Sequence, residues 1–256
     1  KMERWSQSLL ESIRTAARAG HLPLRDDARF VGTEPAKLSA DAILPKAAYL
    51  GRGTSNERVI AVGTSTGGVQ AIQTLLRGFP ADSPGIVIVQ HMPPNFTAEF
   101  ARRLDQDPLI PLEVAEARHQ EPLRSGRALV IPGNIHGLVR RTGLGYRVEL
   151  VDGPEVCRHR PSVEVLFRSV AQAGGPNAVG VILTGMGDDG AQGLLEIREA
   201  GGLTIAQDEA SSVVHGMPGA AIRLGAARLV LPLDRIASAA YLGLASHSAG
   251  AESPRL

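Results

Sequence analysis

"RVIAVGTSTGGVQAI", Arg58–Ile72, holds the decision about the fold. Arg58 to Gly63 is a short β-rich apolar run. Gly63-Thr64-Ser65-Thr66-Gly67-Gly68 interrupts it, and Val69, Ile72, Leu75 and Leu76 then recur at helical spacing. A buried strand followed by a glycine turn and an amphipathic helix is one half of a βαβ unit. Two chemistries fit such a turn. It can expose a nucleophilic serine, or its backbone N–H groups can cradle an anion.

The pattern repeats along the chain. "GIVIVQH", "RALVIPG" and "AVGVILTG" are further apolar runs, "LTIAQD" and "RLVLPL" are shorter ones, and "YRVELVD" alternates like a more exposed strand. Helical spacing appears in "NFTAEFARRLDQ", with Asn95 or Thr97 as its N-cap, in "SVEVLFRSVAQAGG", in "GAQGLLEIREAGG" and in "PLDRIASAAYLGLAS". Near-continuous Val/Ile/Leu strands alternating with helices predict an α/β fold: a doubly wound, mostly parallel sheet with helices on both faces, in a Rossmann-like three-layer arrangement. Upstream, residues 1–19 read as an amphipathic helix. Residues 20–57, broken by Pro23, Pro35, Pro45, Gly51 and Gly53, read as a linker. The main domain is expected over 58–246, with a flexible tail over 247–256.

Composition narrows the function. The chain has 256 residues, is 43% hydrophobic and 21% charged, and can bury a sizeable core; with 4% aromatics, aliphatic residues must build it. A formal net charge of +1 argues against a nucleic-acid or anionic-membrane surface. Cys157 is the single cysteine, so no intrachain disulfide can form and a reducing compartment is expected. No apolar run reaches the roughly 18–20 residues of a membrane span, and "KMERWSQSLLESIRTAARAG" lacks the apolar core of a signal peptide.

In open parallel sheets, sites form beyond the carboxyl ends of the strands. Ser65, His91 and the Asp188-Asp189 pair each follow the end of a predicted buried strand. Neighbouring strands would bring them together. Serine needs an imidazole to take its proton, and the imidazole needs a carboxylate to fix its tautomer. Gly63–Gly67 matches G-x-S-x-G, in which the N–H after the serine faces a developing oxyanion. The order Ser, His, Asp differs from the α/β-hydrolase order, so the motif alone does not place the chain in that superfamily.

Competing readings are local. Ser65 can cap the following helix, and either aspartate can cap the next one. Spacing does not choose between Asp188 and Asp189. An Asp-Asp pair can bind Mg²⁺, but no second carboxylate cluster of suitable spacing accompanies it. His136 also follows a strand and is the runner-up base. His159 lies between Arg158 and Arg160, which disfavour an imidazolium. His215 lies near a site loop with no obvious partner. Cys157 follows no buried strand and is not read as a nucleophile. The phosphate alternative is weaker: Val69 stands where a P-loop needs lysine, and Ser65 stands where a G-x-G-x-x-G fingerprint needs its second glycine. An anion- or nucleotide-binding module using the Gly63–Gly68 turn without chemistry is the alternative function.

The segments "IAVGTSTGGVQAI", "VIVQHMPPNFTAEFARRLD", "DGPEVCRHRPSVEVLFRSVA", "VILTGMGDDGAQGLLEIREAGGLTIAQDEAS" and "VVHGMPGAAI", in that order, closely resemble the catalytic domain of the chemotaxis protein-glutamate methylesterases (CheB), over about Arg58 to Leu233. "SLLESIRTAARAG" looks like the last helix of that family's receiver domain, whose remainder is not in this sequence. The resemblance implies Ser65 as nucleophile, His91 as base and Asp189 as triad acid. It implies oxyanion stabilisation at Thr66 and Met186. It implies glutamyl methyl esters on chemoreceptor cytoplasmic helices as substrates, glutamine deamidation as a second activity, and a cytoplasmic location. No metal or organic cofactor is expected. A receiver domain is the expected partner, covering the site until phosphorylated. Asp188 stands where the family often has asparagine, and His215 where an aromatic is usual; both departures bear on substrate preference.

Overall fold

Alternation along the central strands sets the layers. In β1 (Val59–Thr64) and β2 (Gly85–Gln90), every residue is buried. Val59, Ala61, Val87 and Val89 face one core, while Ile60, Val62, Ile86 and Ile88 face another. A strand buried on both sides reads as a continuous apolar run, as these do. The computed structural model describes residues 37–49, 57–143 and 145–248. The helix predicted over 1–19, most of the 20–57 linker and the end of the tail lie outside the described residues.

Seven strands form one sheet in the order β10-β9-β8-β1-β2-β5-β3, and every adjacent pair is parallel. These are β3 (Glu113–Glu116), β5 (Arg127–Val130), β8 (Ala178–Ile182), β9 (Leu203–Gln207) and β10 (Leu229–Leu231) with β1 and β2. Among the described residues six α-helices accompany them: α1 (Gly68–Arg77), α2 (Pro94–Asp105), α3 (Val163–Gly174), α4 (Ala191–Glu199), α5 (Met217–Arg223) and α6 (Leu233–Ser248). Leu166, Phe167 and Val170 of α3 with Leu194 and Ile197 of α4 and Ala221 of α5 fill one core. Ile72, Leu75 and Leu76 of α1, Phe100 and Leu104 of α2, and Ile236 and Ala240 of α6 fill the other. This is the doubly wound α/β fold predicted from the sequence. From β1 the chain first goes to β2 on one side and later to β8 on the other, so β1 sits at the switch point where such sheets place their ligands.

Three departures have local causes. A second, antiparallel sheet, β4-β7-β6, is formed by β4 (Glu121–Leu123), β6 (His136–Thr142) and β7 (Gly145–Val151). "YRVELVD" is therefore a strand, but one outside the main sheet. Neither Asn95 nor Thr97 caps α2: Pro93 is the N-cap and Pro94 the first helical residue, a position that suits a ring lacking an N–H. Thr97 is already inside the helix, donating to Pro94 O at 3.1 Å. The described residues belong to one compact unit that begins at Lys37. In it, residues 37–49 form a strap with a 3₁₀ turn at Ala40–Ala42, and Ala40 and Leu44 pack with Leu138, Val156 and Val165. Arg168 anchors the strap, donating to Asp41 Oδ1 at 2.8 Å and Leu44 O at 3.0 Å while pairing with buried Glu196.

Candidate active site

The turn after β1 is shaped by its glycines and held from three sides. Gly67, not Ser65, is the N-cap of α1. It sits at φ +83°, and a Cβ there would also lie 2.7 Å from Val213 Cβ, so a side chain is excluded twice. Ser65 is consequently left free of a capping role. Its N–H donates to Thr184 O at 3.1 Å, and its carbonyl accepts from Gln90 Nε2 at 2.9 Å. Thr184 Oγ1 donates to Thr66 O at 2.9 Å and accepts from Val214 N at 2.9 Å. Gln207 Oε1 accepts from Thr184 N at 2.8 Å. One buried threonine thus ties together the turns after β1 and β8 and the 211–216 loop.

Strand pairing supplies the next residue. Thr64 lies opposite Gln90, and His91 N donates to Thr64 O at 3.1 Å. His91 therefore leaves β2 beside Ser65 leaving β1. Its side chain is 8% exposed, with Nε2 2.8 Å from Asp189 Oδ2. A carboxylate only accepts, so Nε2 carries the proton and Nδ1 the lone pair. Nδ1 is buried and has no hydrogen-bond partner among the described residues. The ring is reversed relative to the chymotrypsin arrangement, in which the aspartate holds Nδ1 and Nε2 serves the serine. No hydrogen bond joins Nδ1 to Ser65 Oγ; such contacts commonly close only when substrate binds.

The two aspartates separate cleanly. Asp188 is exposed and pairs with Lys37 of the strap. Asp189 is 1% exposed and caps α3 from a distance. Its carboxylate accepts from Ser162 Oγ (2.8 Å), Val163 N (2.8 Å) and Glu164 N (3.0 Å) as well as from His91. Burial pushes the Asp189 carboxyl up, but His91 and these N–H groups outweigh it and hold it below the usual carboxylate range. Neither aspartate caps α4. Gly190 does, at φ +91°, with a would-be Cβ 2.4 Å from Val163 Cγ1.

The remaining candidates fall into place around this trio. Thr66 and Met186 are exposed, Met186 by 72%, and neither backbone N–H donates to any described residue. His136 is fully buried, donating from Nε2 to Pro154 O at 2.9 Å and accepting from Ser162 N at 3.3 Å, so both ring nitrogens are engaged. Burial lowers its pKa. His215 makes an isolated parallel bridge with Gly185, next to Met186. Cys157 is half-buried, and burial with the charges of Asp189 and Glu164 pushes its thiol well up, away from the nucleophilic thiolate.

His159 is a residue the spacing did not connect to the site. Its ring stacks on His91, centroids 3.7 Å apart and planes within 7°. The signal in the sequence was only its place in "CRHRPS", just before Ser162. Among the described residues, two groups of side chains resemble metal sites by proximity: His91 with His159 and Asp189, and Cys157 with Glu164 and Asp189. Their chemistry does not fit. Imidazole lone pairs lie in the ring plane, so two stacked rings cannot both point at one ion. The Asp189 oxygens already take four donors.

The fold and this geometry define a class: a doubly wound α/β protein with serine, histidine and buried aspartate at the ends of the adjacent strands β1, β2 and β8. The chain belongs to the CheB methylesterase family, whose family model matches residues 60–240. It is 56% identical over 228 residues to protein-glutamate methylesterase/protein-glutamine glutaminase 5 of Anaeromyxobacter dehalogenans (strain 2CP-C), covering 89% of this chain and 62% of that protein. It is 52% identical over 229 residues to protein-glutamate methylesterase/protein-glutamine glutaminase 2 of Pseudomonas syringae pv. tomato (strain ATCC BAA-871 / DC3000), covering 89% and 63% respectively. The chain thus spans a little under two thirds of the length of these relatives. The crystal structure of the Thermotoga maritima CheB methylesterase catalytic domain superposes with a TM-score of 0.70 at 33% identity, covering 73% of this chain and 98% of that one. No helix among the described residues is long and apolar enough to cross a membrane.

Proposed function

We propose that this chain hydrolyses the methyl esters of glutamate side chains in chemoreceptors, releasing methanol, and deamidates particular receptor glutamines at the same site. The observation that carries the reading is the His91 ring. Its Nε2–H is held by buried Asp189, and its Nδ1 lone pair, on a residue that leaves β2 beside Ser65, has no partner among the described residues. That arrangement has little structural purpose and suits a general base.

Ser65 Oγ attacks the ester carbonyl carbon while its proton passes to His91 Nδ1. The carbonyl oxygen becomes an oxyanion, accepting from the free N–H groups of Thr66 and Met186. Collapse breaks the bond to the methoxy group, which leaves as methanol with the proton from His91. Water then adds to the acyl-enzyme, giving a proton to His91, and Ser65 departs with that proton to leave a glutamate. A glutamine side chain follows the same path with ammonia as leaving group. Asp189 stabilises the imidazolium in each half-reaction. Methyl-accepting chemoreceptor helices are the proposed partners, a receiver domain the regulatory one, and the cytoplasm the location. Methanol release from methylated receptor membranes tests the reading. Ser65→Ala and His91→Ala are each expected to lower kcat by about 10⁴–10⁶-fold. Release by either variant at the unsubstituted rate overturns it.

A further inference from the structure

We propose that His159 is a positioning residue for this reaction: its ring, stacked face to face on His91, fixes the plane in which His91 Nδ1 addresses Ser65. The inference rests on the esterase reading and extends it to a residue outside the Ser-His-Asp set.

The Asp189 hydrogen bond restrains His91 at one point only, Nε2. A ring held at one nitrogen can still tilt about that contact, and tilting carries the opposite nitrogen away from the serine. A parallel ring 3.7 Å away closes off that motion on one face. The restraint matters because Nδ1 must take a proton from one oxygen and deliver it to another without leaving its place.

The chain goes to some length to hold His159 there. Val156 and His159 form a two-way bridge, Val156 N to His159 O at 3.1 Å and His159 N to Val156 O at 2.9 Å. Closing so tight a turn puts Cys157 at φ +52° and Arg158 at φ +65°, two consecutive non-glycine residues in the left-handed region. Both are strained conformations for residues with a Cβ, and they persist only where surrounding contacts impose them. Those contacts are present. Cys157 N donates to Leu38 O at 3.0 Å. Arg160 donates to Asn134 Oδ1 at 2.6 Å and Gly153 O at 2.6 Å, while Asn134 N donates to Arg160 O at 3.0 Å. The ring's own orientation is set by Nδ1–H donating to Cys157 O at 2.7 Å.

Charge fits the same role. A neutral ring face tolerates the imidazolium that His91 becomes, whereas a second imidazolium would repel it. Burial, and next the charge of His91, hold the His159 pKa below its usual value, against the opposing pull of Asp189. Direct participation is less consistent with the geometry: Nδ1 is committed to a carbonyl, and the ring meets His91 by its face, where no proton can pass.

The test uses the full chain with His159→Ala and His159→Phe. Phenylalanine keeps a flat ring on His91 and removes both nitrogens. Methanol release from methylated receptor membranes should show kcat lowered about 10²-fold for alanine with KM within about twofold, and kcat within about tenfold of the parent for phenylalanine. A second readout is independent of turnover: the proton NMR resonance of the His91 Nε2–H shared with Asp189. It should broaden or vanish in His159→Ala and persist in His159→Phe. Unchanged kcat and an unchanged resonance in His159→Ala overturn the proposal, as does a phenylalanine variant as impaired as alanine while thermally as stable as the parent. If the parent releases no methanol, the esterase reading itself has failed and the role in this reaction with it, and a resonance that still depends on residue 159 then shows only that His159 orients the His91 ring.

Discussion

Four donors converge on the Asp189 carboxylate, and only one comes from His91. The other three belong to the start of α3, whose partial positive charge favours an anion there. Asp189 therefore joins the histidine tautomer to a helix terminus. Asp189→Asn separates the two roles. The amide NH₂ turned toward His91 would donate to Nε2, move the ring proton to Nδ1 and remove the lone pair the serine needs. Turned the other way, it would face the N–H groups of Val163 or Glu164. The expected result is a loss of about 10⁴-fold in methanol release together with a lower thermal midpoint. A variant keeping more than a tenth of the parent activity would show that the tautomer does not depend on this carboxylate. At this scale the strand-end rule drew attention to Ser65, His91 and an aspartate pair, because each is local to an apolar run. It could not rank Asp188 against Asp189, since burial and the reach to α3 are tertiary facts. His159 and Ser162 escaped because the turn that delivers them leaves no periodic trace.

Glu164 and Asp189 make a reciprocal clasp between α3 and α4. Asp189, one residue ahead of the α4 cap, accepts from the first turn of α3. Glu164, in that first turn, accepts from Gly190 N at 3.1 Å at the start of α4. Burial, with smaller contributions from Asp189 and Glu196 and against the pull of Gly193 N–H and Arg168, raises the Glu164 pKa to about 7. A carboxyl whose folded pKa lies above its unfolded value stabilises the fold in its protonated form. That contribution is complete below the usual glutamate pKa of about 4.3 and is lost as pH rises through about 7. Glu164→Gln stays neutral throughout. Relative to the parent, its thermal midpoint should rise between pH 5 and pH 8.5, by an amount reflecting on the order of 3 kcal/mol. Thermal scans across that range check it, and two parallel curves would show that Glu164 is ionised in the fold. The long helices and buried strands were legible because their apolar periodicity is strong. α5 has seven residues, and β3, β4 and β6 carry charges or prolines, so only their distant partners make them elements.

The sheet places the site, but the strap over residues 37–49 braces one wall of it. Leu44 and Ala40 share a small core with Leu138 of β6, Val165 of α3 and Val156, where the turn carrying His159 begins. Leu38 O takes the N–H of Cys157 within that turn, and Lys37 pairs with Asp188, the residue before Asp189. A segment that reads in the sequence as part of a linker thus joins the antiparallel sheet, the strained turn and the site loop. Leu44→Ala should cost about 2–5 kcal/mol, the usual range for a buried leucine. In a chain of this size that lowers the thermal midpoint by roughly 5–15 °C. If the strap braces the turn, the loss will not be uniform. Amide exchange at Cys157 should accelerate well beyond that of Val62 or Val87 in the central strands, because local opening of the turn no longer breaks a packed contact. Hydrogen exchange measured well below the melting range separates the two possibilities. Equal acceleration at all three amides would mean that the strap stabilises only the whole. Selective acceleration at Cys157 would place the strap among the elements that hold the stacked histidines.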